Sequence, residues 1–146
     1  MKKTFTNFDM IQILNILSQY ENKKLPQRIS YAIVKNSTAI SSEYQIYKTQ
    51  LEKIIKELRD NDKVVLDEDG EMKVTEQGLP VVKEEYAKEF QENLTELLNL
   101  QVDVDVFFID EEVFNYEDSS RYDAMSATDI FNLKLVLCDN EKSKGE

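Results

Sequence analysis

The chain has 146 residues, of which 41% are hydrophobic and 32% are charged, and 29 acidic residues outnumber 18 basic ones to give a formal net charge of −11. Histidine is absent and Cys138 is the only cysteine, which excludes imidazole-based catalysis and an intrachain disulfide framework. One cysteine and the lack of a long apolar run lead us to expect a cytoplasmic protein with no membrane segment.

Charge is divided unevenly along the chain. Residues 1–60 carry 10 Lys or Arg against 6 Asp or Glu, a net of +4, whereas residues 61–146 carry 8 against 23, a net of −15. The acidic total argues against direct binding of nucleic acid or of an anionic membrane. Solubility alone explains such an excess, and the alternative is an acidic face that meets a basic partner.

Apolar residues at steps of three and four predict a first helix over residues 8–20, with Asn7 or Asp9 as its N-cap. Pro26 restarts the chain, and the same spacing continues to Leu58. This second segment is one long helix, or two with a bend at residues 36–38. The two segments together predict an antiparallel helical pair over residues 8–58.

The second half predicts a mixture of strands and helices. Two β-prone runs around the acidic turn 67–70 predict a hairpin over residues 63–74, and a helix is expected over 80–98. Alternation that is strict through Val106 predicts a strand over 101–108, with Val102, Val104, Val106 and Phe108 on its apolar face. We expect this strand to pair with the hairpin. A short turn over 111–114 and a last helix from Ser126 or Thr128 to residue 137 complete the prediction.

The predicted fold class is therefore α+β, a long helical hairpin packed with a small antiparallel sheet and two further helices. This length fits a single domain over residues 1–140. Within that domain, the helical hairpin occupies residues 8–58 and an acidic α+β half occupies residues 63–137. We expect residues 141–146 to be a frayed tail.

No motif predicts chemistry. An EF-hand loop that began at Asp67 would need glycine at its sixth position, but glycine arrives at the fourth, so a solvated turn is the better interpretation. Asp103 and Asp105 share one face of a strand without a third acid or a histidine, which is typical of a solvent face. Cys138 has no imidazole to activate it and is expected to be a buried or half-buried structural cysteine. We therefore expect no catalytic residue, no metal ligand and no cofactor.

The candidate contact residues are aromatic or acidic. Tyr31, Tyr44 and Tyr47 are interleaved with basic residues, a pattern that serves nucleic acid in some proteins but also fits tyrosines half in a core. Where they are not buried, we expect them to form a protein contact surface. The acidic candidates are Asp67, Glu68, Asp69, Asp103, Asp105, Asp110, Glu111 and Glu112.

Several segments carry a family resemblance. These are the segment Leu25-Pro-Gln-Arg-Ile-Ser-Tyr-Ala-Ile-Val-Lys-Asn36, the Glu-Leu-Leu of residues 96–98, the Val-Asp-Val-Asp-Val run and the Ile-Asp-Glu-Glu turn. Their order over residues 10–137 resembles short proteins of unknown function that are encoded by phages and prophages of Gram-positive bacteria. The resemblance implies a small accessory protein that acts inside the infected cell, and it supplies no catalytic residues.

These observations favour a non-enzymatic phage accessory protein that binds a phage protein, a host protein or another copy of itself. The alternative is an acidic mimic of nucleic acid that inhibits a host nuclease or DNA-binding protein. A structural or assembly component of the virion is the second alternative.

Overall fold

The computed structural model describes residues 1–117 and 120–139. Within those ranges the chain forms a two-stranded antiparallel sheet, a short 3-10 helix and four α-helices, one of which is 34 residues long, and this confirms the predicted α+β class. The elements are β1 (Lys2–Thr6), α1 (Asn7–Ser18), α2 (Gln27–Asp60), α3 (Glu84–Leu98), β2 (Gln101–Asp105), the 3-10 helix (Glu111–Phe114) and α4 (Ala127–Leu137). The predicted frayed tail, residues 141–146, lies outside the described residues.

The chain divides into two compact units. Unit 1 consists of Met1–Tyr44 together with Gln101–Glu146, of which residues 118–119 and 140–146 are not described. Unit 2 is Gln45–Leu100. The division falls inside α2, so it does not follow the boundary between the helical and acidic halves of the sequence. That the chain is a single domain stays a prediction.

The two helices of the predicted hairpin are α1, whose start is explained by its local sequence, and α2, which is a single helix. The Thr6 hydroxyl accepts a hydrogen bond from the Asp9 amide at 3.1 Å, and the Asp9 carboxylate accepts one from the Thr6 amide at 3.1 Å. This capping box starts α1, so the predicted caps Asn7 and Asp9 were wrong by a few residues. The helix α2 runs without interruption through residues 36–38, which decides between the two predicted forms in favour of one helix.

The sheet corrects one prediction. β2 pairs with β1 in antiparallel register, with Thr4 opposite Asp103 and Phe5 opposite Val102, so the expected pairing of β2 with the hairpin was wrong. The Thr4 hydroxyl donates a hydrogen bond to Asp103 Oδ1 at 2.6 Å. The partner strand, β1, has only five residues, which is too few for an alternating pattern to predict it.

Unit 1 has a core of two clusters. The larger cluster is drawn from α1, α2, α4 and the segment between β2 and α4, and the smaller lies beneath the sheet. Val104 and Val106 are buried in the smaller cluster with Val102 and Phe108 packed against it, which confirms the predicted apolar face of this strand. The fully buried side chains of the larger cluster include Leu17, Ile29, Ala32, Leu133 and Leu137.

Unit 2 contains the C-terminal part of α2, α3 and three isolated bridges. Leu66 pairs with Met72 across the predicted acidic turn, where Gly70 has a φ of +80° that favours glycine. The bridges from residue 64 to 82 and from 74 to 80 join the two runs of this hairpin to a third segment, residues 80–82. Residues 80 and 82 are therefore extended, and α3 begins at Glu84 rather than at residue 80 as predicted.

Candidate functional site

The segment that follows β2 is attached to α2 by one buried side chain. Asn36 is only 2% exposed, and its Nδ2 donates a hydrogen bond to the Phe107 carbonyl at 2.8 Å. The Phe107 amide donates in return to Asn36 Oδ1 at 2.7 Å. The Ile109 amide donates to the Leu137 carbonyl at 2.9 Å. These bonds hold residues 107–109 beside the first turns of α2.

A groove of about 320 Å³ lies between α2 and this segment. We call it the aromatic groove, and its lining consists of Gln27, Arg28, Tyr31, Phe107, Phe108 and Ile109. The rings of Tyr31 and Phe107 meet edge to face with their centroids 5.5 Å apart. Lys35 Nζ lies 5.6 Å from the Tyr31 centroid and 5.0 Å from that of Phe107, which is within cation–π range. Because Tyr31 stays 56% exposed, the groove offers an open aromatic rim.

A second groove of about 290 Å³ shares Gln27 with the first. We call it the basic groove, and it is lined by Lys23, Lys24, Leu25, Gln27, Ser30, Arg121 and Tyr122. The Lys24 amide donates to Asp123 Oδ2 at 2.7 Å, and the Asp123 amide donates to the Lys24 carbonyl at 2.7 Å. This reciprocal pair holds the loop around residues 121–123 against the loop that precedes α2.

Four of the cations along these grooves, Lys23, Lys24, Arg28 and Lys35, have no close counter-ion among the described residues. Among residues 1–117 and 120–139, no carboxylate lies within 4.0 Å of the charged groups of Lys23, Lys24, Arg28 or Lys35. In unit 2, by contrast, Lys56 Nζ lies 3.6 Å from Asp60 and Lys83 Nζ lies 3.3 Å from Asp62. The two grooves therefore hold cations without a close carboxylate partner, on a chain whose net charge is −11.

The three predicted tyrosines do not form one face. Tyr31 is exposed in the aromatic groove, Tyr44 is half-buried, and Tyr47 is buried at 8% exposure. At about 100° per residue, Tyr31 and Tyr44 point roughly 140° apart around the helix. Tyr47 is excluded because it is buried and Tyr44 because it points away from Tyr31, so only Tyr31 belongs to the candidate surface.

The acidic candidates are distributed over both units. In unit 2, Asp67 Oδ1 accepts hydrogen bonds from the amides of Asp69 and Glu71, both at 2.9 Å, and so organises the turn, while Glu68 and Asp69 are exposed. The other five lie in unit 1 and are exposed: Asp103, Asp105, Asp110, Glu111 and Glu112.

Two of these five have partners within the chain. Asp103 accepts the Thr4 hydroxyl, and the Asp105 carboxylate lies 3.0 Å from the Met1 amino group, which lowers its pKa. Their charges are therefore partly engaged in joining β1 to β2. Asp110 precedes the 3-10 helix without a side-chain cap hydrogen bond, and Glu111 and Glu112 form the first turn of that helix.

Two further features bear on chemistry. Cys138 is buried at 4% exposure, and burial, followed by the nearby Glu111 charge, raises the pKa of its thiol, as expected for a structural cysteine. Across the described ranges, His, Cys, Asp and Glu residues nowhere gather in a group of three or more that could hold a metal ion. In the same ranges no helix combines the length and the apolar character needed to cross a membrane.

Sequence reasoning missed half of the aromatic groove. Phe107 and Phe108 were interpreted only as the end of a strand, although the strict alternation stops at Val106 and two adjacent aromatic residues cannot both face one core. That break in alternation was the available signal. The role of Asn36 was not predictable, because its partner is 71 residues away.

Comparison with known proteins finds no family model, no curated protein and no solved structure that matches this chain.

Proposed function

We propose that this chain is a non-enzymatic accessory protein that acts in the bacterial cytoplasm by binding another protein, and that the aromatic groove of unit 1 is its contact surface. The observation that carries the proposal is the 56% exposure of the Tyr31 ring beside Phe107 at the rim of an open groove. Tyrosine is enriched among the residues that dominate binding energy, because it offers a large contact area at a small entropic cost.

The rigidity of the groove supports this use. Residues 107–109 are fixed by backbone hydrogen bonds to Asn36 and Leu137, and the opposite wall is an α-helix. A groove with both walls held in place loses little conformational entropy when a partner binds. The setting in a phage-infected cell is supported by the sequence resemblance, and the partner is a phage or host protein.

Site-specific photo-crosslinking tests the proposal. A benzophenone amino acid at residue 31, expressed in the infected or lysogenic bacterium, should capture a defined protein. The matched control places the same group at Phe131, which is 62% exposed on α4 and lines neither groove. Capture at 31 and not at 131 supports the proposal, whereas equal or absent capture at both positions counts against it.

Self-association is the second form of the proposal. Ile46 is 65% exposed on α2, and an apolar side chain so exposed favours contact with another apolar surface. Light scattering of the purified chain over a range of concentrations distinguishes this form from binding to a different protein.

The nucleic-acid mimic has less support. Mimicry needs carboxylates that present a regular array of charge, but Asp103 and Asp105 are engaged with β1, and Asp67 is engaged in its own turn. Asp110, Glu111 and Glu112 remain as a short acidic run in unit 1. Inhibition of a host nuclease that is lost when this run is neutralised would restore the hypothesis, and co-purification with particles would support a virion component.

A further inference from the structure

We propose that the aromatic and basic grooves together bind one acidic peptide segment of the partner, with an apolar anchor residue in the aromatic groove and carboxylates along the basic groove. This inference rests on the proposed function and names the chemistry of its partner. The two grooves share Gln27, so a single extended segment can pass from one to the other.

The size of the aromatic groove limits what it can hold. Its volume of about 320 Å³ lies at the lower end of the range for small-molecule pockets, roughly 300 to 1,000 Å³. Its walls are largely apolar, with Tyr31, Phe107 and Ile109 facing the space. One large apolar or aromatic side chain fits that space, and edge-to-face contacts with the exposed Tyr31 ring favour an aromatic one.

The cations beside the grooves determine which peptide residues should flank the apolar anchor. Among the described residues, Lys23, Lys24, Arg28 and Lys35 have no carboxylate within 4.0 Å to act as a close counter-ion, and Lys24 and Arg28 are exposed. Carboxylates on either side of the anchor would supply those counter-ions. A basic segment would instead place its charges beside these four cations, and this repulsion disfavours it.

Nucleic acid is a less favourable ligand for these cations than a short acidic peptide. A polyanion would bring its charge to a chain of net charge −11, and the resulting repulsion grows with the length of the nucleic acid, whereas a short peptide carries only a few carboxylates. RNA binding at the same surface is therefore an outcome of the test that would overturn the proposal.

Selection from a random peptide library tests the inference on the full chain. Peptides of about 12 residues span up to about 40 Å when extended. Selected peptides should combine an aromatic or large aliphatic residue with flanking Asp or Glu, and they should bind more weakly as salt rises. Enrichment of basic or uncharged peptides, or of none, overturns the proposal, as does tighter binding of a poly(U) oligonucleotide at the same site.

Two variants test whether the selected peptide binds in the grooves. Tyr31→Ala should weaken binding of the selected peptide by about tenfold or more, and so should the double change Lys24→Glu with Arg28→Glu. Both sites are exposed, so folding should persist, and a circular dichroism melt verifies it. The matched control, Lys48→Glu with Lys53→Glu, makes the same charge change on α2 within unit 2 and should leave the affinity unchanged. Equal loss in both double variants would show that net charge alone governs binding.

The crosslinking experiment separates this inference from the proposed function. If residue 31 captures a partner whose contacting segment is basic or uncharged, the acidic-peptide inference fails while the proposed function stands. If residue 31 captures no protein and the library yields no peptide, both fail.

Discussion

The side-chain amide of Asn36 and the backbone of Phe107 form a reciprocal pair of hydrogen bonds at 2.8 and 2.7 Å. An asparagine amide presents a donor and an acceptor side by side, so it takes the place that a neighbouring strand would occupy. Because the Asn36 side chain is buried, water cannot replace these two hydrogen bonds if the pair is broken. One residue in the middle of a helix thereby positions one wall of the aromatic groove.

Replacing Asn36 by alanine should destabilise the protein. The change leaves the amide and carbonyl of Phe107 without their partner, so we expect the free energy of unfolding to fall by about 1 to 3 kcal/mol. Urea unfolding followed by circular dichroism measures the loss. Asn15→Ala, at an exposed position of α1, is the matched control and should change stability by less than about 0.5 kcal/mol. Equal effects of the two substitutions would contradict the role assigned to Asn36.

The acid stability of the protein should depend on Asp129. Hydrogen bonds from the Ser126 amide and then from the Tyr20 hydroxyl, at 2.9 and 2.8 Å, hold the pKa of this carboxyl below its usual value of 3.8. Since the folded pKa is depressed, the contribution of ionised Asp129 is fully present above about pH 3.8 and is lost as the pH falls through the folded pKa.

The stability difference between the natural chain and an Asp129→Asn variant should therefore shrink as the pH is lowered from neutrality to below the folded pKa. Denaturant unfolding at a series of pH values measures it. Tyr20→Phe is the companion variant, because it removes the hydroxyl donor of Tyr20 and keeps Ser126, so it should reduce the pH-dependent part without abolishing it. A difference that stays constant across the series would show that Asp129 acts only through its shape.

Local patterns explain why most elements could be predicted from the sequence. The long helix follows from apolar residues at steps of three and four without a glycine or proline between them, and Ser126 starts α4 through a capping box with Asp129. The pairing of β1 with β2 joins residues about a hundred positions apart, and a run as short as Lys2–Thr6 does not specify it. Tyr31 was recognised as a contact residue, but its partner Phe107 was not, because the groove depends on the long-range Asn36 bonds.

Cys138 should react slowly in the native protein. Its thiol is 4% exposed, and burial raises its pKa, so both access and the thiolate fraction are reduced. We expect a disulfide reagent such as DTNB to modify it slowly under native conditions and rapidly in denaturant. The matched control moves the thiol to an exposed site, with Ser42→Cys in a Cys138→Ser background, and should react at once. Equal native rates for the two thiols would show that the C-terminal end of α4 opens readily.

Self-association through α2 should be weak and concentration-dependent. Ile46 is 65% exposed, and its complete burial would contribute about 1.5 to 3 kcal/mol, whereas stable interfaces bury about 800 Å² on each partner. One side chain supplies only part of such an interface, so we expect a mass that rises with protein concentration in size-exclusion chromatography with light scattering. Ile46→Lys should abolish that rise, and Gln45→Lys adds the same charge on a neighbouring exposed position and should preserve it. A monomer mass that is independent of concentration would exclude this form of the proposal and leave a different protein as the partner of unit 1.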